Sequence, residues 1–264
     1  MKIGIFDSGL GGLIITHSLT QALPQYDYVY LGDTARVPYG NRSHDTIYEF
    51  TRAAIDHLFA RGCGIVIVAC NTASAEALHK LQGEYLPKHH PGKAVLGVLI
   101  PAAEAAVAAT KTGRIGVLAT NATISSGAFD RELGKLFLDV QVTSVAAPLL
   151  VPLVENDATK WAAPIIADYL RPLGGVDTLI LGCTHYPLFK HLIADQMGHG
   201  VTIISQDEII PAKVHQYLIA HPGLDLTISK QRSREFLVTD LTDQAVQLAA
   251  RLYGKPIKID RVEL

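Results

Sequence analysis

Two cysteines of this chain stand in the same setting. Cys70 follows the apolar run Ile65-Val66-Ile67-Val68-Ala69 and opens Cys70-Asn71-Thr72-Ala73. Cys183 follows Thr178-Leu179-Ile180-Leu181-Gly182 and opens Cys183-Thr184-His185-Tyr186. Each run reads as a buried strand that delivers a thiol and small polar groups to its carboxyl end, where open α/β sheets bind ligands. Two such thiols suit proton transfer at opposite faces of one small molecule, one as base and the other as acid. A helix starting just after each cysteine is expected to lower its thiol pKa from about 8.5 toward neutral. Asn71, Thr72 and Thr184 offer donors to a bound carboxylate, and His185 is a proton-transfer candidate two positions from Cys183. Cys63, in Arg61-Gly62-Cys63-Gly64, precedes its strand and reads as a small buried hydrophobe.

Two further motifs lie ahead of Cys70. Phe6-Asp7-Ser8-Gly9-Leu10-Gly11-Gly12-Leu13 follows the first apolar run and should open a helix. Its glycines allow close backbone approach to a ligand. A dinucleotide fingerprint fits poorly, because Ile14 stands where the third glycine belongs. Asp33, after the next strand, is the one feature favouring a nucleotide. The plain alternative is a tight βα turn with a capping Asp or Ser. It leaves unexplained why Asp7 and Ser8 share a sheet edge with two thiols. Gly32-Asp33-Thr34-Ala35-Arg36-Val37-Pro38-Tyr39-Gly40 reads as a long loop, with Ser43 as cap of the following helix. A zinc site is disfavoured, since Cys183 and His185 are the only close pair among the candidate ligands.

The elements that must position these groups alternate along the chain. Strands are expected over 2–6, 28–31, 64–69, 95–99, 114–119, 141–145, 178–181 and 201–204, with helical stretches over 43–61, 73–86, 102–110 and 127–138. Such alternation implies mostly parallel sheets flanked by helices. Ile3-Gly4-Ile5-Phe6-Asp7-Ser8 resembles Ile115-Gly116-Val117-Leu118-Ala119-Thr120 at a spacing of 112, close to the 113 between Cys70 and Cys183. The near-equal spacings suggest two similar α/β lobes, each contributing one cysteine to the cleft between them. The expected division is 1–95 plus 209–264 for the first lobe and 96–208 for the second. The segment after Ile209 reads as helix-rich and should pack back on the first lobe.

The chain of 264 residues carries a net charge of −2, which gives no reason to expect nucleic acid or an acidic membrane as partner. Three cysteines without CxxC spacing fit a reducing compartment rather than a disulfide framework. No segment approaches a membrane span, and the start lacks a signal-peptide pattern, so a cytoplasmic location is expected.

At these motifs the chain resembles glutamate racemase, the cofactor-independent enzyme that supplies D-glutamate for bacterial peptidoglycan. The resemblance is carried by Asp7-Ser8-Gly9-Leu10-Gly11-Gly12, Gly32 to Gly40, Cys70-Asn71-Thr72-Ala73-Ser74-Ala75, Val151-Pro152-Leu153-Val154-Glu155 and Leu181-Gly182-Cys183-Thr184-His185-Tyr186-Pro187. The paired cysteine motifs indicate the wider aspartate/glutamate racemase superfamily, and the loop through Arg36-Val37-Pro38-Tyr39-Gly40 narrows it to glutamate. The resemblance implies a two-base mechanism with no cofactor and no metal. It assigns Cys70 to D-glutamate and Cys183 to L-glutamate, with Asp7, His185 and Glu155 assisting. It implies substrate contacts from Asp7, Ser8, Tyr39, Gly40, Asn71, Thr72, Thr123, Thr184 and His185, and a homodimer. The chain departs from many members at Leu99-Ile100-Pro101, at Ala147-Pro148 and at Ser205-Gln206-Asp207, where Asp-Ser-Ala is common. An aspartate racemase would share the thiols and lack the loop. A binding role such as gyrase inhibition, or a thiol hydrolase with one nucleophile, would leave the second cysteine without a purpose.

Overall fold

A computed structural model describes all 264 residues. Ten strands form two sheets: β1 (Lys2–Asp7), β2 (Tyr28–Gly32), β3 (Cys63–Val68), β4 (Ala94–Gly97), β5 (Arg114–Ala119), β6 (Gln141–Ala146), β7 (Thr178–Gly182), β8 (Thr202–Ile204), β9 (Arg234–Val238) and β10 (Asp260–Arg261). The first sheet has the order β10-β9-β2-β1-β3-β4 and the second β6-β5-β7-β8. Every pairing is parallel. Helices cover both faces, so β2, β3 and β7 are buried along their whole length. That two-sided burial is why their sequences are unbroken apolar runs rather than alternating patterns.

The two sheets repeat one topology. Strands β1 to β4 lie in the order second, first, third, fourth, and β5 to β8 repeat it. In such a sheet the chain winds one way from the first strand to the second and the other way to the third. The crevice at the carboxyl ends of the first and third strands is therefore the ligand position. Asp7 ends β1, Cys70 follows β3, Thr120 follows β5 and Cys183 follows β7. Cys70 and Cys183 are topologically equivalent, as are Ser8, just after β1, and Thr120. One apolar core spans both sheets, joining Ile5 and Ile67 to Leu179 and Leu181 through Leu13 and Val214.

The sequence-based elements are displaced in three places. The run 95–99 ends as a strand at Gly97, and Leu99 opens the helix Leu99–Ala109. Pro101 is tolerated there because the first N–H groups of a helix have no intrahelical partner. The helix expected over 73–86 begins at Asn71 and continues through a π-helical turn, Leu81–Tyr85, into Leu86–His89. The segment after Ile209 holds the helices Gln206–Ala220, Pro222–Thr227 and Asp243–Tyr253, and also β9 and β10, which extend the first sheet beyond β2. β9 is hard to recognise because it starts Arg234-Glu235. Glu235 is satisfied by Lys2 and Arg61 rather than by burial. No helix is long and apolar enough to cross a membrane.

Asp177 fastens the turn into β5. Thr110 Oγ1 donates to its carboxylate at 2.6 Å, Lys111 N at 2.8 Å and Thr112 N at 2.7 Å. Partial burial opposes ionisation, but these donors outweigh it and hold the carboxyl well below its usual range. A depressed folded-state pKa contributes stability above the unfolded value of about 4, and that contribution is lost as pH falls. Asp177→Ala should cost about 1–3 kcal/mol at pH 7, with a smaller gap to the wild type at pH 3. Urea unfolding at both pH values measures this, and a gap independent of pH would contradict it.

Candidate active site

The carboxyl ends of β1, β3, β5 and β7 converge on a cavity of about 220 Å³ between the lobes. That is smaller than the ~300 Å³ or more of drug-sized pockets and fits a small molecule. Cys70, Asn71, Thr72 and Ser8 line it from the first lobe, and Cys183, Thr184, His185 and Glu155 from the second. The loop after β2 adds Tyr39 and Gly40. Asp7 and Thr123 are buried behind the lining rather than part of it.

Cys70 caps the helix Asn71–Lys80, and its Sγ accepts from Ala73 N at 3.4 Å. Its S–H donates to Ser8 Oγ at 3.3 Å. The expected lowering of this thiol's pKa does not occur. Burial pushes it up to about 12, the negative charge of nearby Asp7 adds to the effect, and the bonds to Ser8 and Ala73 only partly oppose it. Cys183 differs from the expectation in another way. After Thr184 and His185 the chain enters the short 3₁₀ turn Tyr186–Phe189, and the α-helix begins only at Lys190. No α-helical N-terminus stands directly behind that sulfur. Its polar neighbour is the His185 ring, with Nδ1 4.0 Å from Sγ.

His185 is 5% exposed, and its Nε2 lies 3.3 Å from Glu155 Oε1, an ion-pair distance without hydrogen-bond alignment. Burial alone would lower its basicity, but Cys183 and Glu155 together prevail and raise its pKa. The Glu155 carboxylate comes from the last residue of the helix Leu150–Glu155. Arg251 donates to Val154 O at 2.6 Å and Gln244 to Glu155 O at 3.1 Å, which tie this helix end to the helix Asp243–Tyr253.

The Asp7 carboxylate sits against the start of the helix Gly12–Ala22. Gly9 N donates to it at 3.1 Å and Thr184 Oγ1 at 3.4 Å. Burial pushes its pKa up, with the charge of His185 and these donors acting in opposition. The chain's own carboxylate thus occupies the place where a nucleotide phosphate would bind. The glycines serve contact between the lobes. A β-carbon on Gly11 would lie 2.3 Å from Thr184 Oγ1 and 2.6 Å from His185 Nδ1. Asp33, the other nucleotide-like feature, is fully buried and engaged. Arg36 Nε donates to it at 2.6 Å, Tyr39 OH at 2.5 Å and Thr239 Oγ1 at 2.9 Å. Asp33 therefore anchors the loop and engages the Tyr39 hydroxyl.

Three hydroxyls bridge the lobes. Thr72 Oγ1 lies 2.9 Å from Thr120 Oγ1 and 3.3 Å from Thr123 Oγ1, with Thr120 and Thr123 2.9 Å apart. Thr120 and its neighbour Asn121 also line the cavity, and no local motif marks them in the sequence. The internal duplication carried the signal, because it matches Thr120 to Ser8. Pro148, Val151 and Pro152 also line the cavity without any chemical signature. No cluster of three or more His, Cys, Asp or Glu side chains is arranged to hold a metal ion.

Fold and cavity together define a class: a two-lobed α/β protein, repeated in topology, in which each lobe brings one cysteine to a shared polar cleft. The chain belongs to the Asp/Glu/Hydantoin racemase family, whose model matches residues 3–211. A glutamate racemase from Aquifex aeolicus is 46% identical over 262 residues, covering 98% of this chain and 96% of that protein. The crystal structure of a glutamate racemase isoform from Bacillus anthracis superposes with a TM-score of 0.90 at 35% identity, covering 100% of this chain and 97% of that one. A glutamate racemase from Francisella tularensis, solved in complex with D-glutamate, gives 0.89 at 30% identity, covering 99% and 97%.

Gly11→Ala tests the contact between the lobes. Its methyl group has no space beside Thr184 and His185, so a loss of about 1–3 kcal/mol in denaturant unfolding is expected. At Gly83, in the π-helical turn, a β-carbon meets nothing within 4 Å. Gly83→Ala should instead leave stability unchanged or raise it by about 0.4–1 kcal/mol. Equal effects at the two positions would refute the packing argument.

Proposed function

We propose that this chain interconverts L- and D-glutamate by a two-base mechanism that needs no cofactor. The observation that carries the reading is the presence of one cysteine from each lobe, at equivalent sheet positions, in one small polar cavity. The match to glutamate racemases along nearly the whole chain supports glutamate as substrate. In the L-to-D direction the Cys183 thiolate takes the α-proton, and the C–H electron pair stays on the α-carbon. The Cys70 thiol then gives its proton to the opposite face, leaving Cys183 protonated and Cys70 as thiolate. The reverse direction exchanges the roles. A single thiol would tend to return the proton to the face it left, so inversion calls for acid and base on both sides.

The surroundings of Cys70 suit its part as acid in the L-to-D direction. Burial and the Asp7 charge favour a protonated Cys70. The His185 imidazole, made more basic by Cys183 and Glu155, stands beside the second sulfur. Glu155 assists by holding the imidazole charged. The developing carbanion is stabilised by donors at the α-carboxylate, for which Asn71, Thr72 and Thr184 are the candidates, with Thr120 added by its place in the cavity. Ser8, Tyr39 and Gly40 contact the remainder of the substrate. Asp7 acts from beneath through Cys70 and Thr184, and Thr123 through the hydroxyls of Thr72 and Thr120.

The cellular role that accompanies this activity in the family is supply of D-glutamate for peptidoglycan. A homodimer belongs to the same proposal and rests on the family resemblance, while a cytoplasmic location rests on the cysteine usage and the sequence pattern. The division into lobes 1–95 with 209–264 and 96–208 rests on the internal duplication and the repeated strand order, its first boundary falling inside β4.

Circular dichroism of L- and of D-glutamate incubated with the purified protein tests the activity, and both signals should decay to zero without added cofactor. Decay with aspartate alone would overturn the substrate. Cys70→Ser and Cys183→Ser should each lower the rate by at least about a hundredfold, the low end for removing a general acid or base. Cys63→Ala, in the core and away from the cavity, should retain it. Comparable loss at Cys63 in a folded protein would overturn the assignment of the thiols.

A further inference from the structure

The two chain crossings between the sheets meet at Gln206. This residue opens the helix Gln206–Ala220 directly after β8, on the path back to the first lobe. It is 2% exposed, and so is Asn71. Their side-chain amides form a reciprocal pair. Asn71 Nδ2 donates to Gln206 Oε1 at 2.6 Å, and Gln206 Nε2 donates to Asn71 Oδ1 at 2.5 Å. Gln206 Nε2 also faces Val98 O at 3.5 Å, just before the helix that leaves the first lobe.

The Val98 contact decides which way both amides point. A backbone carbonyl only accepts, so the nitrogen of Gln206 must face it rather than the oxygen. With Gln206 oriented, Asn71 has no choice, since its Oδ1 must meet Nε2 and its Nδ2 must meet Oε1. A primary amide carries two N–H donors. One donor of Asn71 is engaged by Gln206, and the other is left to a side chain that lines the cavity beside Cys70.

We infer that Gln206 is a positioning residue: it fixes the orientation of the Asn71 amide so that an N–H, not the carbonyl oxygen, serves the bound carboxylate. The inference rests on the reading of the cavity as the glutamate site. It gives a role to the Ser205-Gln206-Asp207 departure noted in the sequence. It also ties the substrate-binding amide to both crossings between the lobes.

Three proteins test it by steady-state racemisation in both directions between about pH 6 and 9: the wild type, Gln206→Met and Gln206→Glu. An ionised glutamate at 206 only accepts. It would set an oxygen against Asn71 Oδ1 in either orientation of that amide and another against Val98 O, and so push the Asn71 amide out of its paired position. Gln206→Glu should therefore raise KM about ten- to a hundredfold at pH 8–9, with a smaller change in kcat. A protonated carboxylic acid carries one donor and one acceptor, as the amide does, and burial favours that form. The ratio of wild-type to Gln206→Glu kcat/KM should thus shrink toward pH 6. Dividing by the wild type removes whatever pH dependence the proteins share. Gln206→Met keeps the volume and loses the pair, so its KM should be raised by a factor that does not change with pH.

Wild-type KM and pH profile in both variants would overturn the inference, as would a loss of kcat alone in both. Were Gln206→Glu to misfold, the KM of Gln206→Met would decide, and an unchanged KM would refute the role. A wild type that leaves glutamate untouched would overturn the functional reading itself, and the inference with it. A wild type that racemises while both variants match it would overturn only the role of Gln206.

Discussion

The distance between the two lobes is set at Gly11. A first-lobe backbone turn rests against Thr184 and His185 of the second lobe, with no room for a single methyl group. The surrounding contacts follow from that approach. A β-carbon on Gly12 would strike the Asp7 side chain, and one on Gly32 would strike Gly9 O. Tyr30 OH donates to Gly9 O at 2.8 Å, holding the turn down. The reward is that Asp7 reaches Thr184 across the divide and that both sulfurs open on one cavity. A larger residue at Gly11 would separate the walls on which any chemistry at two faces of one carbon depends.

Within that gap the two halves are alike in topology and unlike in charge. The first-lobe sulfur is buried beside a carboxylate, and the second stands beside an imidazole backed by Glu155. Equivalent strand ends thus meet different electrostatic neighbours, which separates the roles of two chemically identical groups. The hydroxyls of Thr72, Thr120 and Thr123 are the near-symmetric part of the site, carrying donors from both lobes to one place.

The buried parallel strands were legible because two-sided burial writes them as apolar runs such as Cys63-Gly64-Ile65-Val66-Ile67-Val68. β9 was not, because an edge-side strand whose first residues are charged and ion-paired has no such signature. Cys70, Cys183 and their polar neighbours were legible because their chemistry is local to each motif. Thr120 and Gln206 were not, since each acts on a residue far away in the chain and nothing near it announces the contact. Asp33 shows how little a position after a strand says by itself. Its position after the second strand is the one feature that favours a nucleotide, a reading the glycine spacing already disfavours, and the carboxylate is consumed by Arg36, Tyr39 and Thr239 in holding a loop. The thiol pKa of Cys70 misled for a different reason: a helix cap is a local feature, whereas desolvation is fixed by the whole fold around it.

The discontinuous make-up of the first sheet has a consequence for how the chain is born. The second sheet is complete within residues 114–204, whereas the first waits for β9 at Arg234–Val238 to cover the edge of β2. At about 5–20 residues per second, a ribosome takes roughly 10–40 s to travel from β2 to β9. Throughout that interval β2 presents an unpaired row of backbone donors and acceptors, the kind of edge on which neighbouring chains aggregate. Nascent chains halted before Arg234 should therefore be the species that depends most on chaperones, even though every residue of the cavity has by then been synthesised.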